Sequence, residues 1–183
     1  MPSWSRIATR SRVSLGFLFA VAYLWFAHPT WMSLVAGSLA VAIGLSVRTS
    51  ASGHIRKNAQ LAVTGPYART RNPLYLGSIV MAVGFILAAR NIWIGISALA
   101  MFLFIYVPVI QAEEAYLRST FPEYREYSAQ VPRFWPRLTA YRAGTGDSAP
   151  AFSWELYMSH REYNASLGSA LILGALILKM VLV

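Results

Sequence analysis

Two stretches of the chain carry residue types suited to chemistry. The first runs Gly65-Pro66-Tyr67-Ala68-Arg69-Thr70-Arg71-Asn72-Pro73-Leu74-Tyr75-Leu76-Gly77 and ends where an apolar run begins. The second is the acid pair Glu113-Glu114, at the far end of the next apolar hairpin. Guanidinium groups recognise carboxylates and phosphates in a forked geometry. Carboxylates bind cations or take protons, and Tyr offers a ring and a hydroxyl. An acid pair is costly in hydrocarbon, so at the end of an apolar run it belongs to a membrane rim or to a function. Gly65-Pro66 is turn punctuation. Pro73 suits a first helical turn, whose backbone donors can hold an anion. Together these segments read as a site for a charged small molecule at the edge of a bilayer.

The elements that must position them are apolar. Of 183 residues, 56% are hydrophobic and 13% are charged, against roughly a quarter charged in soluble domains. The composition predicts an all-α integral membrane protein, a single membrane domain over 1–183. About five transmembrane helices are expected, at 13–27, 31–47, 74–89, 92–110 and 167–183. Several are short for a crossing, which takes about 20 residues. Trp25, Trp31, Trp93 and Tyr106 extend them as interface anchors, and Pro108 is expected to bend the fourth near its end. The first run continues past Ala20-Val21-Ala22 into a second span, so it reads as a retained helix and not as a cleaved signal peptide.

Charge sets the orientation. All seven acids lie after residue 112. With the N-terminus in the cytoplasm, every Lys and Arg except Arg90 and Lys179 falls on the inner side, the pattern of a multi-pass inner-membrane protein of bacterial type. Arg90 and Lys179 are read as snorkelling from helix ends. The net charge of +9 then points to anionic headgroups and membrane lipids as partners, and not to nucleic acid. The outer turns are minimal and the inner segments, 48–73 and 111–166, are long, so function belongs on the inner face. His54, Arg56 and Lys57 read as headgroup contacts. A helix is expected over 112–129, with Leu117, Phe121 and Tyr124 as its apolar stripe. A flexible link over 142–150 and a cytosolic amphipathic surface helix over 154–165, its Glu155, Arg161 and Glu162 open to water, lead to the last span. The chain has three scattered His and no Cys, so no metal site is expected.

The order of these motifs resembles the integral membrane methyltransferases that include isoprenylcysteine carboxyl methyltransferases and phospholipid methyltransferases. Their pattern is matched by Gly65-Pro66-Tyr67, Arg71-Asn72-Pro73-Leu74-Tyr75-Leu76-Gly77, Glu113-Glu114, Phe121-Pro122-Glu123-Tyr124-Arg125-Glu126-Tyr127 and Val131-Pro132. The resemblance covers about residues 48–137 and implies S-adenosylmethionine as methyl donor, bound in that core at the cytosolic membrane edge. It implies a lipid or prenylated acceptor, lipophilic and entering from the bilayer, methylated on oxygen or nitrogen. Donor-binding residues carried over are Gln60, Leu61 and Ala62 through their backbone, then Tyr67, Arg71, Asn72, Pro73, Leu74 and Tyr75, and Glu113. The catalytic candidates are Glu113, Glu114 and Arg71. Neighbouring helical residues diverge, so one acid is expected inward and one outward, with Glu113 favoured for the donor.

Two departures from the pattern matter. Asn72 stands where His is common, and Asn forms hydrogen bonds but does not titrate. Val109-Ile110-Gln111-Ala112 replaces a stretch in which the isoprenylcysteine enzymes carry an Arg, a departure that bears on the prenylcysteine substrate and not on the donor. Competing readings are an NADPH-dependent sterol reductase-like enzyme and a non-enzymatic lipid-binding module. Leu74 after Pro73 and Ser78 after Gly77 depart from the reductase element.

Overall fold

The computed structural model describes residues 16, 18–56, 60–142 and 151–182. Among them every regular element is helical. Residues 18–26 form the described part of α1. There follow α2 (Trp31–Ser52), α3 (Pro73–Ala89), α4 (Ile92–Met101), α5 (Val107–Thr120), α6 (Tyr124–Gln130), α7 (Trp154–Ser159) and α8 (Tyr163–Leu182). The helix starts follow local chemistry. Thr30 and Ser33 form a reciprocal capping box at α2, Pro73 occupies the first turn of α3, and the Asn91 side chain accepts from the Trp93 N–H at α4. Each satisfies or removes a backbone donor that the helix itself leaves open.

Three helices are long and apolar enough to cross a membrane: Trp31–Ser52, Ile92–Thr120 and Tyr163–Leu182. The helix Pro73–Ala89 is apolar but has 17 residues, about 25 Å at 1.5 Å per residue. The expected first span, 13–27, lies partly outside the described residues, as do Lys57 and the expected link beyond Arg142.

The closest helix pair is α2 with α3, and glycine is the reason. The two run antiparallel, so that Gly37 meets Gly84 and Gly44 meets Gly77. A Cβ on Gly37 would lie 2.5 Å from the Gly84 carbonyl oxygen, and one on Gly44 would lie 2.6 Å from that of Gly77. The reverse contacts are as tight, 2.6 Å at Gly84 and 2.7 Å at Gly77. Within each helix the glycines are seven residues apart, about two turns, so all four share one seam. Small residues let backbones approach where lipid supplies no hydrophobic drive between helices.

The end of the helices at which α1 finishes is closed by a second set of contacts. The Lys179 Nζ donates to the carbonyls of Leu24, Trp25 and Ala27 at 2.8, 2.9 and 2.8 Å. All three ammonium protons are used, on the carbonyls that a helix end leaves unpaired. Lys179 therefore ties α8 to the end of α1, where snorkelling was expected. The His28 N–H donates to the Ala89 carbonyl and the Asn91 amide to the Phe26 carbonyl. Beneath these bonds Tyr23, Leu34, Ala88, Ile94 and Leu176 form a buried apolar cluster.

Three sequence expectations are corrected. The single helix over 112–129 is two: Phe121 turns to extended backbone and α6 starts only at Tyr124, because Pro122 cannot continue the ladder. The surface helix over 154–165 stops at Ser159. A turn with Arg161 at φ 54° leads into α8, which begins at Tyr163 and not at residue 167. Glu162 does not face water. It receives two short hydrogen bonds from Arg48, 2.8 and 2.7 Å from Nη2, and a third from Nε. Pro108 acts one turn earlier than its own position, where residues Phe102–Tyr106 are wound as a π-helical turn.

Gly44→Val is expected to destabilise the protein by about 1–3 kcal/mol, the usual cost of overpacking, because the new atoms meet backbone that cannot yield. Gly174→Ala, where a Cβ meets nothing within 4 Å, is the matched control and should be neutral. Thermal unfolding in detergent micelles measures both.

Candidate functional site

The first motif folds as a 3-10 turn, Gly65–Ala68. Gly65 sits at φ 57°, and a Cβ there would lie 2.6 Å from the His54 ring. Both facts require glycine. The turn is zipped to the chain after α6. The Arg71 N–H donates to the Pro132 carbonyl, the Arg137 N–H to that of Arg69, and the Tyr141 N–H to that of Ala68. The Thr70 hydroxyl and the Asn72 amide both reach the Arg133 carbonyl, at 3.0 and 3.3 Å. The Tyr127 hydroxyl donates to the Tyr67 carbonyl at 2.7 Å. Burial holds Tyr67 and Tyr127 well above the ordinary tyrosine value, so both stay neutral donors.

The two acids separate as their helical spacing requires. Glu114 is buried and Glu113 is exposed. Arg133 grips Glu114 as a fork, Nε to Oε1 at 3.1 Å and Nη2 to Oε2 at 2.5 Å. The Asn72 amide adds a bond of 3.2 Å, and Arg71 Nη1 stands 3.9 Å away. The hydrogen bond to Glu114 raises the Arg133 guanidinium further above its already high value. Asn72 precedes α3 but makes no capping bond with its side chain, because that side chain is committed to Glu114. Two guanidinium groups share one buried carboxylate, so the cluster keeps a surplus positive charge.

A cavity of about 200 Å³ opens beside this cluster. Gln60, Leu61 and Ala62 line it from the loop after α2, and Tyr67 and Arg71 from the turn. Asn72, Pro73, Leu74 and Tyr75 line it from the start of α3, and Glu113 from α5. Every donor-binding candidate named from the sequence thus faces one space, while Glu114 lies behind it. The Tyr75 hydroxyl meets Glu113 Oε2 at 3.2 Å. Among the described residues the hydroxyls of Tyr67 and Tyr124 and the Nε of Arg71 are buried without a well-formed hydrogen bond, although Tyr124 and the Arg71 guanidinium interact with each other. All three residues line this cavity. Buried polar groups are almost always paired, so under-satisfied ones around one cavity make it the candidate site.

A second cavity, about 380 Å³ and lined almost wholly by apolar side chains of α3, α4 and the π-helical turn, shares Tyr75 with the first. Tyr75 and Tyr106 meet edge to face with ring centroids 6.4 Å apart, and Tyr106 stacks on Phe102 at 6.2 Å. The polar and apolar spaces therefore meet at one tyrosine. Arg133 was read from the sequence only as an inner-face base. Its single clue was its place directly after Val131-Pro132. Tyr124 was read as packing, which it is (1% exposed), but the residue also lines the cavity. Among the described residues no three His, Cys, Asp or Glu come together as a metal site would require.

Arg133→Met should leave the buried Glu114 without its fork. We expect a loss of about 1–3 kcal/mol, the penalty for an under-satisfied buried group, with partial recovery in Arg133→Lys, which keeps the charge and loses the fork. Thermal unfolding of the three proteins measures it.

No solved structure matches the chain. It is 32% identical to the cobalt-zinc-cadmium resistance protein CzcN of Cupriavidus metallidurans over 155 residues, 80% of this chain and 68% of that protein. It is 34% identical to the nickel-cobalt-cadmium resistance protein NccN of Alcaligenes xylosoxydans xylosoxydans over 119 residues, 62% of this chain and 56% of that protein. Residues 19–124 match the phospholipid methyltransferase family, a stretch that holds α2, α3, the turn, the π-helical segment and both acids. With more than half of its length inside that match, the chain belongs to the phospholipid methyltransferase family.

Proposed function

We propose that this protein is an S-adenosylmethionine-dependent methyltransferase of the membrane, acting on a lipophilic acceptor at the cytosolic face of a five-helix bundle. The buried hydroxyl of Tyr67 and the loosely held Arg71 and Tyr124 at one cavity of mixed lining, next to a more apolar one, carry this reading. When bound, S-adenosylmethionine supplies an electrophilic methyl group on a positively charged sulfur.

The residues suit that donor's chemistry. Arg71, beside the surplus positive charge, binds a carboxylate. Glu113 accepts an ammonium group. The rings of Tyr67 and Tyr116 offer π faces to a cation, and Leu61, Leu117 and Phe121 give apolar cover to a flat base. The cavity is smaller than the roughly 300–1,000 Å³ of most ligand clefts, so binding requires it to widen.

The apolar cavity takes the acceptor's hydrocarbon, and Tyr75 and Glu113 stand where the two molecules would meet. Positioning is then the main contribution, worth up to about 7–11 kcal/mol in ideal cases, helped by the exclusion of water. An amine acceptor must lose a proton, and Glu113 is placed to take it. A carboxylate acceptor needs no base. Glu114 serves as a fixed counter-charge for Arg71 and Arg133, a positioning residue more than a catalytic one. The chain's similarity to metal-resistance proteins suggests a setting, metal resistance, in which the methylated product would act. The partners in this reading are membrane lipids, with no nucleic acid and no metal.

Arg71→Ala and Glu113→Ala are each expected to weaken donor binding about tenfold, equivalent to about 1.4 kcal/mol. Titration of the purified protein with S-adenosylmethionine, its demethylated product and NADPH measures this. Unchanged affinity in both variants removes the site assignment, and binding of NADPH alone overturns the methyltransferase reading in favour of a reductase. Transfer of a labelled methyl group into a total membrane lipid extract then identifies the acceptor.

A further inference from the structure

The chain after α6 carries an exposed apolar pair that neither the fold nor the proposed chemistry uses. Trp135 is 85% exposed and Leu138 is 96% exposed. Other strongly exposed apolar residues, such as Met32 and Leu171, lie on helices apolar enough to cross a membrane. This pair lies on a loop. The loop is held firmly, by the backbone bonds from Arg71 to Pro132, Arg137 to Arg69 and Tyr141 to Ala68. Its side chains therefore stand outward by construction, and the loop cannot fold them away.

Two observations say what covers them. First, Phe134, next to Trp135, packs against Phe102 with ring centroids 6.2 Å apart. Phe102 lies within Ile92–Thr120, so the loop begins against the wall of an apolar helix. Second, residues 128–142 contain Arg133, Arg137 and Arg142 and no acid. Arg142 is exposed, and so is Arg69, to which the loop is bonded. Arg137 is braced by the Gln130 carbonyl and the Thr139 hydroxyl. An apolar pair between exposed guanidinium groups, continuous with an apolar helix, matches the boundary between acyl chains and anionic headgroups.

We propose that residues 134–138 are an interfacial anchor. Trp135 and Leu138 insert at the level of the inner-leaflet headgroups, and Arg69, Arg137 and Arg142 engage anionic lipid. The same loop supplies Arg133 to Glu114, so the anchor sets the height of the polar cavity against the bilayer. The proposal stands whether or not the protein transfers methyl groups.

The absence of cysteine makes the test direct. Leu138→Cys and Glu126→Cys, each labelled with a nitroxide, are reconstituted into phosphatidylglycerol-containing vesicles and into phosphatidylcholine vesicles. Collision with oxygen and with a water-soluble nickel complex is read by electron paramagnetic resonance. The oxygen-to-nickel ratio at 138 should exceed that at 126 severalfold in the anionic vesicles and should fall in phosphatidylcholine. A ratio at 138 equal to that at 126 in anionic vesicles overturns the anchor. An equal ratio in the two lipids overturns the headgroup contact, and shielding of 138 from both reagents shows a protein partner instead.

Discussion

The backbone contact between α2 and α3 is the constraint from which the cavity-bearing end of this protein is built. Four glycines remove the side chains that would hold the helices apart. The approach that results does more than pack two helices. It brings Arg48, on the last turns of α2, against Gly77, where the guanidinium reaches the Ser78 hydroxyl and the Leu74 carbonyl. Arg48 also holds Glu162 on the turn into α8, with both side chains largely shielded from water at 21% and 15% exposure. One guanidinium thus joins α2, the first turns of α3 and the entry to α8. The residues just before that first turn are Arg71 and Asn72, so the seam also sets where the polar cavity begins.

From there the organisation passes through a second cation. Arg133 takes Glu114 in a fork and, through its own carbonyl, Thr70 and Asn72. A buried carboxylate with one partner missing is expensive. Here it has two bonds from a fork, one from an amide and a second guanidinium at longer range. That arrangement leaves Arg71 only loosely engaged with Glu114 at 3.9 Å, beside Tyr124 at the wall of the cavity. The two arginines therefore differ: Arg133 is committed to Glu114 in a fork, and Arg71 is held to the same carboxylate only at longer range.

Much of the candidate site was legible because its residues are close in the chain. Pro, Gly and Asn at 65–77 favour a turn and a helix start, which brings Tyr67, Arg71, Asn72 and Tyr75 near one another before the chain after α6 fixes them. The acid pair is separated by 100° on a helix, so one inward and one outward acid follows from geometry alone. Arg133 was not legible. A loop arginine among many in this chain has no local signature, and its partner is nineteen residues away across a broken helix. The break itself was missed because a helical apolar stripe over Leu117, Phe121 and Tyr124 survives it: all three still pack, but from two helices and the bend between them.

Composition and hydrophobic run length were enough to determine an all-helical chain with spans long and apolar enough for a membrane, because both rest on local preference. The resemblance carried by the order of motifs supplied the family and ten of the residues that line the cavity. The tertiary structure decided which acid is buried, which arginine is spent on it, that Lys179 closes the end of α1, and that Glu162 is held by Arg48. These depend on charges finding partners between 19 and 155 positions away. Such pairings are set by how closely the helix backbones approach, and that distance is written in the chain only as glycines whose partners the fold supplies.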